Sequence, residues 1–471
     1  MSDAAPQNPL YERYASREMA RLFSAEHRFA LWRKLWIALA ESEAELGLPI
    51  SESQLAALRA AANTIDLARV AEIERQTRHD VVAHLRHYAE VAGEAGGILH
   101  LGATSAYITD NADVLMMREG LELLAGRLVA TIHGLADFAR RNRTLPCLAY
   151  THFQPAQLTT VGKRACLWLQ DFLDDLAEVR HRLATLRPRG VKGTTGTQAS
   201  FLTLFEGDHA KVRALDQKLA LRLGFGSSWA LTGQTYPRKQ DSRVLQTLAG
   251  IGESAHKFGT DLRLLQGVGE LAEPFDSGQV GSSAMAYKKN PVRAERMCGL
   301  ARRLLTDSLN GGLNAATQWL ERSLDDSANR RLVIPDSFLG ADAVLSLAAH
   351  VAAGLSVDER TVAARVDREL PYMATETFLM LAVKKGGDRQ ILHEKIRELS
   401  LSARAEGGAG ELVDAIAADP AFHLTREEAA AAIDPVAFTG RSAAQVEEFL
   451  AEQVAPALAG AREAAVEAPR V

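Results

Sequence analysis

Apolar residues recur at alternating steps of three and four over unusual lengths of this chain. One stripe runs Val114, Met117, Leu121, Leu124, Leu128, Ile132, Leu135 and Phe138. A second runs Leu158, Val161, Ala165, Leu169, Phe172, Leu176, Val179, Leu183 and Leu186, and a third Val244, Leu248, Ile251, Ala255, Phe258, Leu262, Leu265 and Val268. This spacing predicts amphipathic helices of about 25 to 30 residues, each about 40 Å long at about 1.5 Å per residue. Helices of that length without internal proline bury their stripes side by side in a bundle. Further helices are predicted over 292–320 and 335–355, which gives a central bundle over 106–360.

Flanking the bundle, the periodicity is shorter. Ser24 is placed to cap a helix carrying Phe29, Trp32, Trp36 and Leu39, which Gly47 and Pro49 end. Beyond 361 the helical segments are interrupted at Gly386-Gly387, Gly407-Gly408 and Pro420. No period-2 run is long enough to require a sheet. The predicted fold class is all-α: a central long-helix bundle over 106–360, with smaller helical domains over 1–105 and 361–471.

Composition narrows the functional classes. With 54 basic and 59 acidic residues the 471-residue chain carries a net charge of −5, and its basic residues are dispersed. That argues against nucleic acid as a partner. Three cysteines, Cys147, Cys166 and Cys298, form no C-x-x-C pair and fit a reducing compartment. Met1–Pro9 is polar, unlike a secretory signal, and no run approaches the roughly 20 apolar residues of a membrane span. A cytoplasmic protein without a membrane partner is expected.

The candidate chemistry sits between the stripes. Polar stretches without helical period are Arg78-His79-Asp80, Gly102–Ser105, Thr151–Pro155, Gly193–Gln198, Gly281–Pro291 and Asp325–Arg331. Three of them immediately precede a long helix, whose unpaired N–H groups and partial positive charge suit an anion. Taken singly, each also reads as an ordinary cap or turn. His152 is of the residue type that serves as a general acid or base, because imidazole titrates near neutral pH. In the Gly281–Pro291 run a serine would need an unusual environment to act as a base. Cationic neighbours such as Lys288 and helix-end dipoles lower that cost.

Two metal readings are weaker. His79, His84 and His87 lie at spacings of five and three with no carboxylate–histidine motif nearby. Asp174-Asp175 with Glu178, and Asp325-Asp326, resemble the acidic helix motifs by which all-α prenyl-diphosphate enzymes hold magnesium. Neither run has the full aspartate-rich repeat, and the first flanks an apolar stripe, where acidic residues form a solvated face.

Taken together, the stretches resemble the fumarase/aspartase superfamily, and within it the animal-like adenylosuccinate lyase family. Gly281–Pro291 is similar to the superfamily signature G-S-S-x-M-P-x-K-x-N-P, with Ala286 at the signature's proline. Arg13–Ser16, Arg78–His84, His100–Ser105, Thr151–Arg164, Arg189–Ser200, Thr232–Tyr236 and Leu324–Arg331 resemble the family in particular. The resemblance covers about 10–455. At Ala286, loss of the proline releases backbone freedom, typically about 0.4–1 kcal/mol through the unfolded state, so a more mobile signature loop is expected.

The resemblance implies elimination of fumarate from adenylosuccinate and from the succinyl-carboxamide imidazole ribotide of purine synthesis. It implies Ser282 as general base and His152 as general acid, although the sequence alone leaves open which of Ser282 and Ser283 points inward. Glu295 would orient His152, the alternative being a salt bridge within its own helix. His79 would assist near the leaving group or phosphate, and Lys288 with Asn290 would hold the succinyl carboxylates. Arg13, Tyr14, Arg322, Ser327 and Arg331 would meet phosphate and ribose. Arg78, Asp80, Gln234 and Arg296 would complete the base and succinyl pockets, with Thr104 and Ser105 donating to a carboxylate. The resemblance also implies a homotetramer with active sites shared between chains, small nucleotide substrates, and acid–base chemistry needing no metal or cofactor. Argininosuccinate lyase, fumarase and aspartase share the signature but need no phosphate site. A non-catalytic helical scaffold is the alternative from another class; the presence of both Ser282 and His152 weighs against it.

Overall fold

A computed structural model of the chain describes residues 8–276, 278, 279, 284, 285, 287–406 and 409–465. The longer helices are numbered α1 (Ala25–Glu45), α2 (Leu67–Thr77), α3 (Asp80–Ala92), α4 (Ser105–Arg141), α5 (Val161–Thr185), α6 (Lys239–Gly267), α7 (Val292–Ala316), α8 (Asp325–Gly354) and α9 (Glu359–Met373). The all-α expectation holds, and the structural relatives described below share the fold. Ser24 caps α1, accepting from the His27 N–H at 3.2 Å.

Burial of the stripes drives the bundle. Val114, Met117, Leu121, Leu124, Leu128, Ile132, Leu135 and Phe138 on α4 are each at most 1% exposed. Each such side chain contributes about 1.5–3 kcal/mol on leaving water, enough to offset the entropy of fixing its own backbone, about 1–2 kcal/mol. The stripes on α5, α6, α7 and α8 close the same core, and α1 packs on its end through Leu31, Leu35, Trp36 and Leu39. Where α6 and α7 cross, a Cβ on Gly259 would sit 2.8 Å from Cys298 Sγ, so only glycine permits that approach.

Several expectations need correction. Asp325–Arg331 is not a connection: it forms the first two turns of α8, which starts ten residues before the predicted 335. Pro335 therefore lies inside a helix, where proline typically costs about 3 kcal/mol. The helix continues because Val333, Ile334, Phe338 and Leu339 are buried on both sides of it. By length and composition α8 is apolar enough to cross a membrane, but 89% of its apolar window is buried inside the structure, as in a core helix. Thr151–Pro155 is not a loop leading into a helix but the tip of an antiparallel ribbon, β1 (Pro146–Thr151) with β2 (Gln154–Thr160). A second short ribbon pairs β3 (Leu271–Ala272) with β4 (Ser356–Val357). Leu158, read as the start of the second helical stripe, belongs to β2.

The C-terminal region carries its own core around Phe378, Leu392, Leu412, Ile416 and Phe422. The last helical turns return to the bundle, where Val446, Leu450 and Val454 join the main core.

Candidate active site

The N-termini of α3, α4 and α8 meet at a cavity of about 460 Å³, a volume typical of small-ligand sites. Among its lining residues are His79, Asp80, Thr104, Ser105, Gln234, Arg322, Ser327 and Arg331, residues drawn from distant parts of the sequence. Neither Thr104 before α4 nor Leu324 before α8 makes a side-chain cap. The Tyr107 and Ser327 N–H groups bond the Thr104 and Leu324 carbonyls, and only the two N–H groups before each are left uncapped at the cavity. The Thr104 hydroxyl is buried with no hydrogen-bond partner. Uncapped helix N-termini beside arginine side chains form a site for anions.

The walls are held by named contacts. His79 caps α3, its Nδ1 accepting from the Val82 N–H at 3.5 Å. Its Nδ1 also lies 3.4 Å from Asp80 Oδ1, and its Nε2 faces Ser105 Oγ at 3.3 Å. Asp80 accepts from its neighbour's N–H, Val81, at 2.7 Å and from the Arg331 guanidinium across the cavity mouth. Burial alone would raise the Asp80 pKa, but Arg331 and the Val81 N–H outweigh it and hold the carboxyl below its ordinary value. Gln234 is placed by its backbone N–H, which donates to the Glu321 carbonyl at 2.9 Å. The loop behind it packs on Gly196, where φ is +86° and a Cβ would lie 1.8 Å from the Thr232 carbonyl oxygen.

Beneath the cavity runs a buried ionic network. Arg238 grips Asp110 with two N–H groups at 3.1 and 3.2 Å and reaches Asp326 at 2.6 Å. Arg322 takes the other Asp326 oxygen at 2.7 Å, which fixes the guanidinium at the cavity edge. Arg330 bonds Asp241 and the Tyr236 hydroxyl, each at 2.7 Å, and lies 3.0 Å from Asp113. Burial opposes the charge on Arg330, yet Asp241, Tyr236 and Asp113 hold its pKa well above the ordinary arginine value. Desolvation pushes Asp113 up despite Arg330.

The remaining expected site residues lie elsewhere. His152 and Phe153 form the two-residue tip between β1 and β2, both in the left-handed region at φ +52° and +59°. Such tips favour Asn-Gly, and a non-glycine residue there typically costs about 1–2 kcal/mol. His152 is exposed and does not line the cavity. Arg13 and Tyr14 lie on a wide turn, Leu10–Tyr14, tethered where the Ser16 N–H donates to Asp342 at 2.6 Å. They are within electrostatic reach of Arg296, whose pKa falls through burial, opposed by Tyr14 and aided by Arg13. Lys288, Asn290 and Glu295 flank the start of α7. Glu273 anchors that start, accepting from the Arg293 and Ala294 N–H groups at 3.0 and 2.9 Å. No hydrogen bond joins Glu295 to His152 among the described residues. Arg78 ends α2 in the left-handed region, is exposed, and is not among the residues lining the cavity of its own chain. Ser282, Ser283 and Ala286 lie outside the described residues.

The metal readings find little geometry. His84 stacks on Phe29 at 3.8 Å, and His87 Nε2 accepts from the Asp66 N–H at 2.9 Å, so each ring is held by a different neighbour. Asp175 does not belong to the solvated face, because it is buried and its carboxyl is pushed up to about 7 by desolvation. Adjacent residues on a helix differ by about 100°, so one aspartate of the pair turns inward.

Sequence reading names neither Arg28, Phe29, Trp32, Asp110, Asp113 nor Arg238 as a site residue, gives His84 only as a metal ligand and Arg330 only within the Asp325–Arg331 stretch, yet all are on the cavity wall. Asp110 and Asp113 carried a usable signal: they sit one turn before Val114 and Met117, the first two residues of the apolar stripe of α4. Charge there must be paired.

Comparison with known proteins completes the description. Residues 10–305 match the lyase family model, and 371–449 match the model for the adenylosuccinate lyase C-terminus. Adenylosuccinate lyase of Saccharomyces cerevisiae is 46% identical over 457 residues, which is 96% of this chain and 95% of the relative. That of Schistosoma mansoni is 45% identical over 96% of this chain and 95% of the relative. The Pyrococcus abyssi enzyme is 32% identical over 85% of this chain and 88% of the relative. Among solved structures, a fumarate lyase from Mesorhizobium sp. BNC1 superposes with a TM-score of 0.81 at 25% identity, covering 95% of this chain and 100% of that one. A 3-carboxy-cis,cis-muconate lactonizing enzyme from Pseudomonas putida gives 0.83 at 24% identity, over 95% and 99%, and shows the shared fold.

Proposed function

The chain belongs to the adenylosuccinate lyase family of the fumarase/aspartase superfamily, and from that membership we propose that it is a carbon–nitrogen lyase of purine nucleotide biosynthesis. It reversibly eliminates fumarate from adenylosuccinate, leaving AMP, and from the succinyl-carboxamide imidazole ribotide. The observation that carries this reading is the cavity, where two uncapped helix N-termini meet Arg322 and Arg331 at a volume suited to an anionic small molecule.

Elimination requires removal of a weakly acidic proton from the succinyl Cβ. In this reading Ser282 takes that proton, the C–N bond breaks with its electron pair passing to nitrogen, and His152 protonates the departing nitrogen. Charge developing on the adjacent carboxylate is stabilised by fixed donors, for which Thr104, Ser105, Lys288 and Asn290 are suited. Arg322, Ser327 and Arg331, with Arg13 and Tyr14, take phosphate and ribose. Arg78, Asp80, Gln234 and Arg296 complete the pocket, and His79 assists at the leaving group.

The chain acts as a homotetramer whose active sites combine residues from different subunits. Two observations support this. Neither His152 nor the Arg13–Arg296 group lines the cavity of its own chain. Six large apolar side chains within 309–332, Leu309, Leu313, Trp319, Leu320, Leu324 and Leu332, are each at least 62% exposed. Exposed apolar residues concentrated in this way suit a covering partner. Activity should then disappear on dilution in step with dissociation; activity that persists in the monomer counts against sharing. The same proposal divides the chain at 105 and 360, and sets it in the cytoplasm, where Cys147, Cys166 and Cys298 remain free thiols.

Ultraviolet absorbance of the purified protein with adenylosuccinate tests the function. Conversion to AMP and fumarate, reduced to a small residual rate in Ser282→Ala and in His152→Ala, is the expected result. No conversion by a folded tetramer would move the assignment to another succinyl substrate or to a structural role.

A further inference from the structure

The hairpin tip that carries His152 is conformationally demanding, with two successive residues in the left-handed region and neither of them glycine. Strain of this kind persists only where the surroundings over-determine it. The tip itself is exposed, so the determinant lies further down the ribbon.

It begins at Tyr150, two residues before His152 and immediately after a bulge in β1. The Tyr150 hydroxyl donates to Glu270 Oε1 at 2.6 Å. Glu270 is 2% exposed in its side chain and takes three further contacts. Arg365 Nε on α9 donates to the same oxygen at 2.8 Å, while its Nη2 donates to the Tyr150 hydroxyl at 2.9 Å. Arg164 on α5 reaches Glu270 Oε2 at 3.4 Å and also donates to the Leu148 carbonyl of β1. The Glu270 main-chain carbonyl accepts from Asp358 at 3.0 Å, so the carboxylate itself sits on a fixed point. From the other side of the tip, the Phe153 ring lies 5.5 Å from that of Tyr150. One buried carboxylate thus ties β1, α5 and α9 together at Tyr150, two residues before His152.

We propose that Glu270 is a positioning residue for His152, acting through Tyr150 with Arg365 and Arg164 as clamps. It fixes the pitch of the hairpin and hence where the imidazole is delivered. The proposal rests on the reading of His152 as general acid. Misplacement of a reacting group by about 1 Å costs rate rather than binding, up to about 100-fold. Substitutions in the cluster should therefore act on kcat.

The test is a double-mutant cycle on the full chain with adenylosuccinate as substrate. Tyr150→Phe, which removes one hydroxyl and keeps the ring, and Glu270→Gln are each made in the wild type and in His152→Ala. Both should lower kcat at least about tenfold with KM within about threefold, and should lower the residual rate of His152→Ala by less than about twofold. Arg365→Lys, retaining the charge, should recover part of the rate lost in Arg365→Ala. An equal fractional loss in both backgrounds, or an unchanged kcat in both variants, overturns the proposal and leaves the role of His152 intact. Full activity in His152→Ala overturns the role of His152 and the proposal with it. If Glu270→Gln does not fold, Tyr150→Phe carries the cycle alone.

Discussion

Arg238→Met would expose how strongly the cavity floor depends on one buried cation. The side chain and both of its partners, Asp110 and Asp326, are at most 2% exposed. Removing the guanidinium deletes three charge-assisted bonds, at 2.6, 3.1 and 3.2 Å. At about 1.5–3 kcal/mol each they would sum to about 4.5–9 kcal/mol. The remaining donors reduce that: Asp326 keeps Arg322 at 2.7 Å, and Asp110 keeps the Tyr236 N–H at 2.9 Å. Orphaning a buried charge typically costs about 3–5 kcal/mol, and the lower half of that range is expected here. The sign of the pH dependence follows from the carboxylates. In the wild type, burial favours the neutral form of Asp326, but Arg238 and Arg322 win and hold its pKa below the ordinary value. Its pairing therefore contributes stability above that ordinary value, about 3.8, and loses it as pH falls. In the variant, acid neutralises the orphaned charge, so the penalty shrinks between pH 7.5 and pH 5. Urea unfolding followed by tryptophan fluorescence, at fixed protein concentration, reads both quantities from the first cooperative transition. The double variant Arg238→Met/Asp110→Asn should be more stable than the single one. A loss below about 1 kcal/mol at pH 7.5, or the same loss at pH 5, would refute the view that charge burial sets the cost.

Other perturbations separate binding from stability. Asp80→Asn breaks a partly exposed pair with Arg331, so the thermal midpoint should barely move, by an amount worth less than about 1 kcal/mol. The KM for adenylosuccinate should rise about tenfold as Arg331 loses its anchor at the cavity mouth; an unchanged KM in steady-state kinetics removes Asp80 from substrate positioning. Glu43 is buried with both carboxyl oxygens unpartnered, and desolvation pushes its pKa up to about 9. A raised folded pKa means stability is fully present below the unfolded value and lost as pH rises towards 9, at about 1.4 kcal/mol per unit. Glu43→Gln should flatten that slope, so its advantage over the wild type grows from pH 5 to pH 9 in urea titrations; parallel profiles would show that Glu43 ionises freely.

The bundle was legible in sequence because its physics is local and repetitive. A 3.6-residue period over eight or nine apolar positions has few solutions besides a long buried helix, and the stripes of α4, α5 and α6 duly form the core. The errors came where two signals competed. Asp325–Arg331 looks like a connection because its polar residues crowd together, yet Asp326 and Arg330 point into the network while Asp325 and Arg331 face outward. A helix entering an ionic cluster carries charge on its buried face, which erases the amphipathic pattern by which helices are recognised. Pro335 strengthened the mistake by resembling a start. The hairpin was hidden for a different reason: His152-Phe153 lacks the Asn-Gly chemistry of a two-residue turn, because the turn is imposed from outside through Tyr150 and Glu270. Both failures fall on the candidate site, where residues are chosen to meet a ligand and local preference is overruled by contacts distant in sequence. The converse gives a rule for reading the rest of such a chain. Charged residues such as Asp110 and Asp113, standing on the face of an otherwise apolar helix, must have partners, and those partners outline the cavity before any motif is considered.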